Sequence, residues 1–159
     1  MIYDGKKTHR LLGALFAAYC LLMLWLLFVR NRSGIWDGGK DFWQYISAEY
    51  NLAPFHMIRG YWRVLLRGYG VPGWRQAFIN FFGNIGMLIP FGFFLPAVFK
   101  RLRKLWVTLG TVLGTMVALE TVQLLTLSGH FDVDDLILNV FGAAIGYGVF
   151  RLMGAIRVK

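Results

Sequence analysis

The sequence predicts an all-α membrane protein with four transmembrane helices and an amphipathic interfacial helix in the first extracytoplasmic connection. Three observations predict it. Of the 159 residues, 57% are hydrophobic and 16% charged, with a mean hydropathy of +0.54; a soluble domain is about half apolar and about a quarter charged. Four stretches each hold close to the roughly 20 apolar residues that cross a bilayer. Lys and Arg cluster between those stretches and at the ends. The length suits one domain, residues 1–159.

The first stretch, Leu11–Val29, carries no charge. Basic residues precede it, as in a secretory signal, but Val29-Arg30-Asn31-Arg32 is not a small-residue cleavage site. It reads as a retained helix. Ala77–Phe99 is also uncharged, though it holds Asn80, Asn84, Pro90 and Pro96. Leu105–Leu127 carries one charge, Glu120, and Leu136–Gly154 carries Arg151 near its end, where a long side chain snorkels to the headgroups. The predicted spans are therefore 11–29, 77–99, 105–127 and 136–154. The single cysteine, Cys20, excludes an internal disulfide and a Cys-based metal site, and reads as a buried structural thiol. No cofactor, metal or nucleic-acid partner is expected.

Orientation follows from Lys and Arg in the short segments. The N-terminal ten residues carry Lys6, Lys7 and Arg10, the KRLRK connection (100–104) carries four, and the tail carries Arg151, Arg157 and Lys159. The Ser128–Asp135 connection has none. Both termini are therefore expected in the cytoplasm, with Arg30 and Arg32 counting against that orientation. KRLRK reads as a tight turn suited to anionic inner-leaflet lipid.

This orientation brings the intramembrane polar residues to one level. Asn80 and Asn84 fall in the outer half of the second span, Glu120 and Gln123 in the outer half of the third, and Asn139 about one turn below Asp135 in the fourth. At 1.5 Å per residue, Asn84, Glu120 and Asn139 lie roughly 6–11 Å below the outer surface. Helical spacing puts Asp135, Asn139, Gly142 and Gly146 on one stripe. Gly142-x3-Gly146 and Gly110-x3-Gly114 allow close helix approach, within a chain or between copies in a homo-oligomer. Asn80, Gln123, Thr108, Thr111, Thr115 and Thr121 are expected to bond helices together. Glu120 is too costly for that role alone, about 2.5–3.5 kcal/mol for an acid at the bilayer centre. It should face a polar interior. Asp135 has the type and position of a helix N-cap, and Asp132 and Asp134 are ordinary loop acids on an equal footing with a functional reading.

The connection from Arg30 to Gln76 is too long for a simple loop. His56–Tyr69 has helical periodicity: Arg59, Arg63 and Arg67 share one face, and Ile58, Trp62, Leu65, Leu66 and Tyr69 cover the other. The apolar side is expected in lipid. The arginines either anchor the helix or grip a phosphate bidentately. With seven basic residues against Asp37, Asp41 and Glu49, this connection is positive. A membrane lipid, a lipid-linked cell-wall precursor or another anionic headgroup is the expected partner.

Four motifs in order resemble the VanZ-like family: NLAPFHMI (Asn51–Ile58), NIGMLIPFGFFLP (Asn84–Pro96), ETVQ (Glu120–Gln123) and GHFDVDDLILNVFGAAIGY (Gly129–Tyr147). The resemblance covers most of the chain from about Asn51 onward, and the first helix in outline. It implies a small bacterial cell-membrane protein with helices around a polar centre, associated with low-level resistance to teicoplanin-type glycopeptides. It also implies that Pro54, Phe55, Asn84, Pro90, Gly92, Glu120, Gln123, Asp132, Asp135, Asn139, Gly142 and Gly146 are the motif positions. Many relatives carry Arg where His130 stands here. If that charge pairs with Glu120 or a ligand phosphate, this chain does so only with His130 protonated.

Two functions follow as expectations. In one, an outward polar pocket binds an anionic headgroup or wall-precursor group without turnover, using Asn84, Glu120, Gln123, His130, Asp132, Asp135 and Asn139 beside Arg59, Arg63 and Arg67. In the other, the protein is an intramembrane hydrolase or transferase on a lipid-linked phosphate, with Glu120 as acid or base and Asp132 and Asp135 as further catalytic candidates. No P-loop, H-E-x-x-H or nucleophile elbow supports the second. A transporter would need a polar route to the inner side, and below Glu120 the spans are apolar or small.

Overall fold

Backbone groups in hydrocarbon need partners within the chain, and the four apolar segments satisfy that need as helices. In the computed structural model, which describes residues 5–30 and 41–156, they are α1 (Lys6–Trp25), α4 (Trp74–Val98), α5 (Leu105–Leu125) and α6 (Val133–Ile156). Each is long and apolar enough to cross a membrane. The ends differ from the hydropathy reading. α1 starts at Lys6, includes the basic residues, and runs on through a π-helical turn, Leu26–Arg30. α6 starts three residues early, because its first turn is polar. Of the charged residues named above, Arg32, Asp37, Arg157 and Lys159 lie outside the described residues.

α4 and α6 form the centre. Ile85 meets Gly142 and Ile89 meets Gly146, so the two helices run parallel. Their backbones touch. A Cβ on Gly142 would lie 2.1 Å from the Ile85 carbonyl oxygen, and one on Gly146 1.9 Å from that of Ile89. From the other helix, a Cβ on Gly92 would lie 2.0 Å from the Ala143 carbonyl oxygen. The Gly142-x3-Gly146 pair therefore packs within the chain. The second pair does not: Gly110 and Gly114 have nothing within 4 Å of where a Cβ would sit.

α1 and α5 flank this pair. Met23, Leu88, Phe91, Leu95, Val112, Met116, Leu136 and Ala143 form the buried apolar core, with Cys20 partly buried against it. The Tyr19 hydroxyl donates to the Met87 carbonyl, tying α1 to α4 just before Pro90. Gln123 Nε2 donates to the Leu27 carbonyl (3.0 Å), tying α5 to the end of α1. The threonines behave differently from the sequence expectation. Thr111, Thr115 and Thr121 donate to carbonyls four residues back in α5 itself, and Thr108 bonds the preceding turn at Leu102 and Lys104. A hydroxyl in a helix reaches its own i−4 carbonyl more easily than a neighbouring helix. Large side chains such as Leu21, Trp106 and Leu152 point outward, as a lipid-facing surface requires.

The connection after α1 holds structure that periodicity did not reveal. α2 (Phe42–Ala48) is preceded by Asp41, whose N–H reaches the Gln44 side-chain oxygen (3.4 Å). β1 (Tyr50–Asn51) pairs in parallel with β2 (Phe131–Asp132), Tyr50 opposite Phe131 and Asn51 opposite Asp132. α3 (His56–Leu66) is the expected amphipathic helix, shorter by one turn because the chain turns at Gly68, with φ +95°. Arg67 is thus its C-cap. α3 lies against α4 and touches α6. Its apolar side is divided. Ile58 and Leu65 are half-buried toward the bundle, while Trp62, Leu66 and Tyr69 are exposed.

The glycine contacts generate a test. Gly146→Val forces α4 and α6 apart, and should cost about 1–3 kcal/mol or more, as overpacking a core does. Gly110→Ala meets nothing and should be neutral, or stabilising by up to about 1 kcal/mol through helix propensity. Unfolding of the two variants in detergent measures the difference; similar losses would show that α4 and α6 are not in backbone contact.

Candidate functional site

The site is assembled where α6 begins. The parallel β1–β2 pair sets Asn51 beside Asp132, and Asn51 Nδ2 donates to both carboxylate oxygens (3.3 and 3.4 Å). Asn51 Oδ1 in turn accepts the Ala53 N–H (3.1 Å), closing a local turn into Pro54 and Phe55. Asp132 Oδ1 accepts the Asp134 N–H (2.8 Å). Asp132, with 9% exposure, is therefore the N-cap of α6. The expected cap, Asp135, is displaced from that role because the helix starts at Val133.

Asp134 does something the sequence did not reveal. It has no exposure, and its carboxylate accepts three backbone N–H groups of another helix: Phe55 (2.5 Å), Met57 (2.6 Å) and Ile58 (3.0 Å). These are the free donors at the start of α3. A helix N-terminus always carries such orphan groups, and a nearby side chain usually caps them. Phe55 cannot do so. It adopts φ +64°, a costly conformation for a bulky side chain, and so turns its N–H toward Asp134. The only hint in the sequence is a helix start with no polar cap of its own.

Glu120 and Asp135 complete the cluster. Glu120, 6% exposed, accepts the Asp132 N–H through Oε2 (3.2 Å). Asp135 Oδ1 accepts from Asn84 Nδ2 of α4 (2.6 Å). Asn80 Nδ2 donates to the Tyr61 hydroxyl of α3 (3.0 Å), and Gln76 Nε2 donates to Asn80 Oδ1 (2.8 Å). Burial pushes the Tyr61 pKa up; the Asn80 hydrogen bond opposes this, and Asp135, Asp132 and Asp134 reinforce it. Asn139, 3% exposed, lies one turn along α6 from Asp135, and its Oδ1 is buried without a donor.

Asn84, Glu120, Asp132, Asp135 and Asn139 are thus brought to one region by α4, α5 and α6. Gln123 lies apart, bonded to α1. His130 is exposed, and its Nδ1 meets Glu49 Oε2 rather than Glu120. That contact sits beside two others between the same segments: the Tyr45 hydroxyl donates to the Gly129 carbonyl (3.1 Å), and the Phe131 N–H to the Glu49 carbonyl (3.0 Å).

The chemistry of this cluster is one-sided. Its acids are held by amide donors, and among the described residues no Lys or Arg forms an ion pair with them. Asn139 Oδ1 adds a further acceptor. The cluster offers acceptors to an incoming hydrogen-bond donor. Among the described residues, no three His, Cys, Asp or Glu side chains gather as a metal-binding group.

The exposed cationic side chains of this region lie elsewhere, on α3. Arg59, Arg63 and Arg67 are exposed along α3, and among the described residues none has an acidic partner. Arg63 Nε bonds the Arg59 carbonyl (3.2 Å), which steadies the row.

Comparison with known proteins agrees with the motifs. The model of the VanZ/LLP1 family matches residues 16–154, and the chain belongs to that family. No curated protein and no solved structure matches it.

Asp134→Ala removes three charge-assisted hydrogen bonds and leaves the start of α3 uncapped. Bonds of this kind are worth about 1.5–3 kcal/mol each, with partial recovery by water. Hydrogen exchange at Phe55, Met57 and Ile58 should accelerate by about tenfold or more, while amides in the middle of α4 stay protected. Unchanged exchange in α3 would remove Asp134 as its clamp.

Proposed function

We propose that this VanZ/LLP1-family protein recognises the phosphate of an anionic envelope lipid or lipid-linked cell-wall precursor on the outer face of a bacterial membrane, and so changes susceptibility to teicoplanin-type glycopeptides. The observation that carries the reading is the row Arg59, Arg63 and Arg67: exposed, without acidic partners among the described residues, on a helix fastened to the bundle. A guanidinium matches a phosphate with two parallel N–H donors. Trp62, Leu66 and Tyr69, all exposed beside the row, supply the apolar and aromatic surface typical of the headgroup level. Cytoplasmic termini, as the Lys and Arg distribution implies, put α3 on the outer side. The buried acids then have a supporting part: they hold α3, β1 and the start of α6 in register.

A second reading has one observation in its favour. Asn139 Oδ1 lacks a donor in a region that also holds Glu120 and Asp135. Such acceptors would orient a water molecule, and an intramembrane hydrolase or transferase with Glu120 as acid or base would need one.

One set of variants separates the two. Purified full chain is titrated with a soluble short-chain polyprenyl phosphate. Replacing Arg59, Arg63 and Arg67 together by Ala should weaken binding about tenfold or more at low salt, and far less at about 0.5 M salt, because exposed charges are screened. No salt-dependent loss discards the recognition reading. Glu120→Gln should leave this binding and membrane abundance near wild type. If it abolishes release of inorganic phosphate from the same ligand while binding persists, the enzyme reading prevails.

A further inference from the structure

We propose that the opposite end of the bundle holds a second lipid site, which takes the phosphate of an anionic glycerophospholipid between the start of α1 and the α4–α5 turn. A cavity of ≈ 580 Å³ lies there, lined by His9, Val98, Phe99, Lys100, Arg101 and Leu102. That volume falls within the range of about 300–1,000 Å³ usual for small-ligand sites. The space is open to the surface, and a headgroup with its glycerol fits within it.

The lining has two characters. Val98, Phe99 and Leu102 give an apolar wall, and Phe99 packs edge-on against Phe16 of α1 (centroids 6.2 Å). His9, Lys100 and Arg101 give a polar and cationic rim. The rim lies within a wider positive field. Residues 1–10 carry Lys6, Lys7 and Arg10 against one acid, Asp4, and residues 100–104 carry Lys100, Arg101, Arg103 and Lys104, so the two segments together are strongly positive. Arg101 is exposed, and among the described residues it has no ion pair.

Two contacts build the site. His9 Nε2 meets the Val98 carbonyl (3.0 Å), joining the first turn of α1 to the last residue of α4. Arg103 Nε donates to the Pro96 carbonyl (3.2 Å), folding the turn back on the helix end. Trp106, 80% exposed, follows within one turn of α5, where an indole marks the level of the headgroups. Acyl carbon along the apolar wall and phosphate at the cationic rim is the polarity of a lipid standing in the leaflet. Basic side chains clustered at such a surface favour an anionic over a zwitterionic lipid, since only the anionic one carries a net charge for them to attract.

Native mass spectrometry of the full chain in detergent tests this, with phosphatidylglycerol and phosphatidylcholine of identical acyl chains. Wild type should retain phosphatidylglycerol in preference. Replacing Lys100 and Arg101 together by Glu should lower that occupancy at least about fivefold and leave phosphatidylcholine unchanged. Arg101→Gln, a milder change, should lower it in the same direction. The variant with Arg59, Arg63 and Arg67 replaced by Ala should keep the preference, so failure of the outer site and failure of this one are separable. Equal retention of the two lipids by wild type, or unaltered occupancy in both inner variants, overturns the proposal. So does displacement by glycerophosphate at the concentration where the lipid itself competes, since the apolar wall would then contribute nothing.

Discussion

The Asp134 carboxylate is the constraint on which the rest of the polar end depends. It is fully buried, yet it is satisfied by three backbone N–H groups of α3. An acid taken out of water costs several kcal/mol unless such donors replace its hydration. The same three donors would be orphaned at the start of α3 without it. Each side therefore removes the other's penalty, and neither tolerates the other's absence. Because Asp134 sits in the first turn of α6, the interfacial helix is fastened to the central helix of the bundle. The direction in which Arg59, Arg63 and Arg67 point is set from there.

The glycine contact between α4 and α6 gives that clamp a rigid base. Gly92, Gly142 and Gly146 let the two backbones touch, and Asn84 to Asp135 is the hydrogen bond at the polar end of the same pair. Small residues maximise close dispersion contact where lipid offers no hydrophobic force between helices. A shift of α4 along α6 would break the Asn84 bond and move Tyr61, which reaches α4 through Asn80. Packing in the apolar half and hydrogen bonding in the polar half thus fix one register together.

Much of this is legible in the residues. Twenty-residue apolar runs fix the spans, because hydrocarbon leaves the backbone no alternative to the helix. That Asn84, Glu120 and Asn139 fall toward the same end of the bundle follows from alternating helix direction. What stays hidden depends on contacts far apart in sequence. The two-residue β1–β2 ladder joins residues some eighty positions apart and has no periodicity to read. Asp134 reads as a loop acid, since its partners lie in another segment. Gly110-x3-Gly114 has the same spacing as Gly142-x3-Gly146, and only the fold decides which one faces a neighbour. The start of α6 is obscured because polar residues in a first turn read as loop, and Asp135 then takes, on sequence alone, the capping role that belongs to Asp132.

The separation of charge along the chain bears on what the protein can recognise. A single pocket holding both the acids and the arginines would neutralise itself through ion pairs and bind little. Here the acids are satisfied by amides inside, whereas the guanidiniums of α3 remain exposed with no carboxylate among the described residues to occupy them. The internal cluster can therefore fix geometry without competing for an external anion. The cost of burying the acids goes into position, and the positive charge of α3 stays at the surface, where an anion of the proposed kind would lose less hydration than in a buried site.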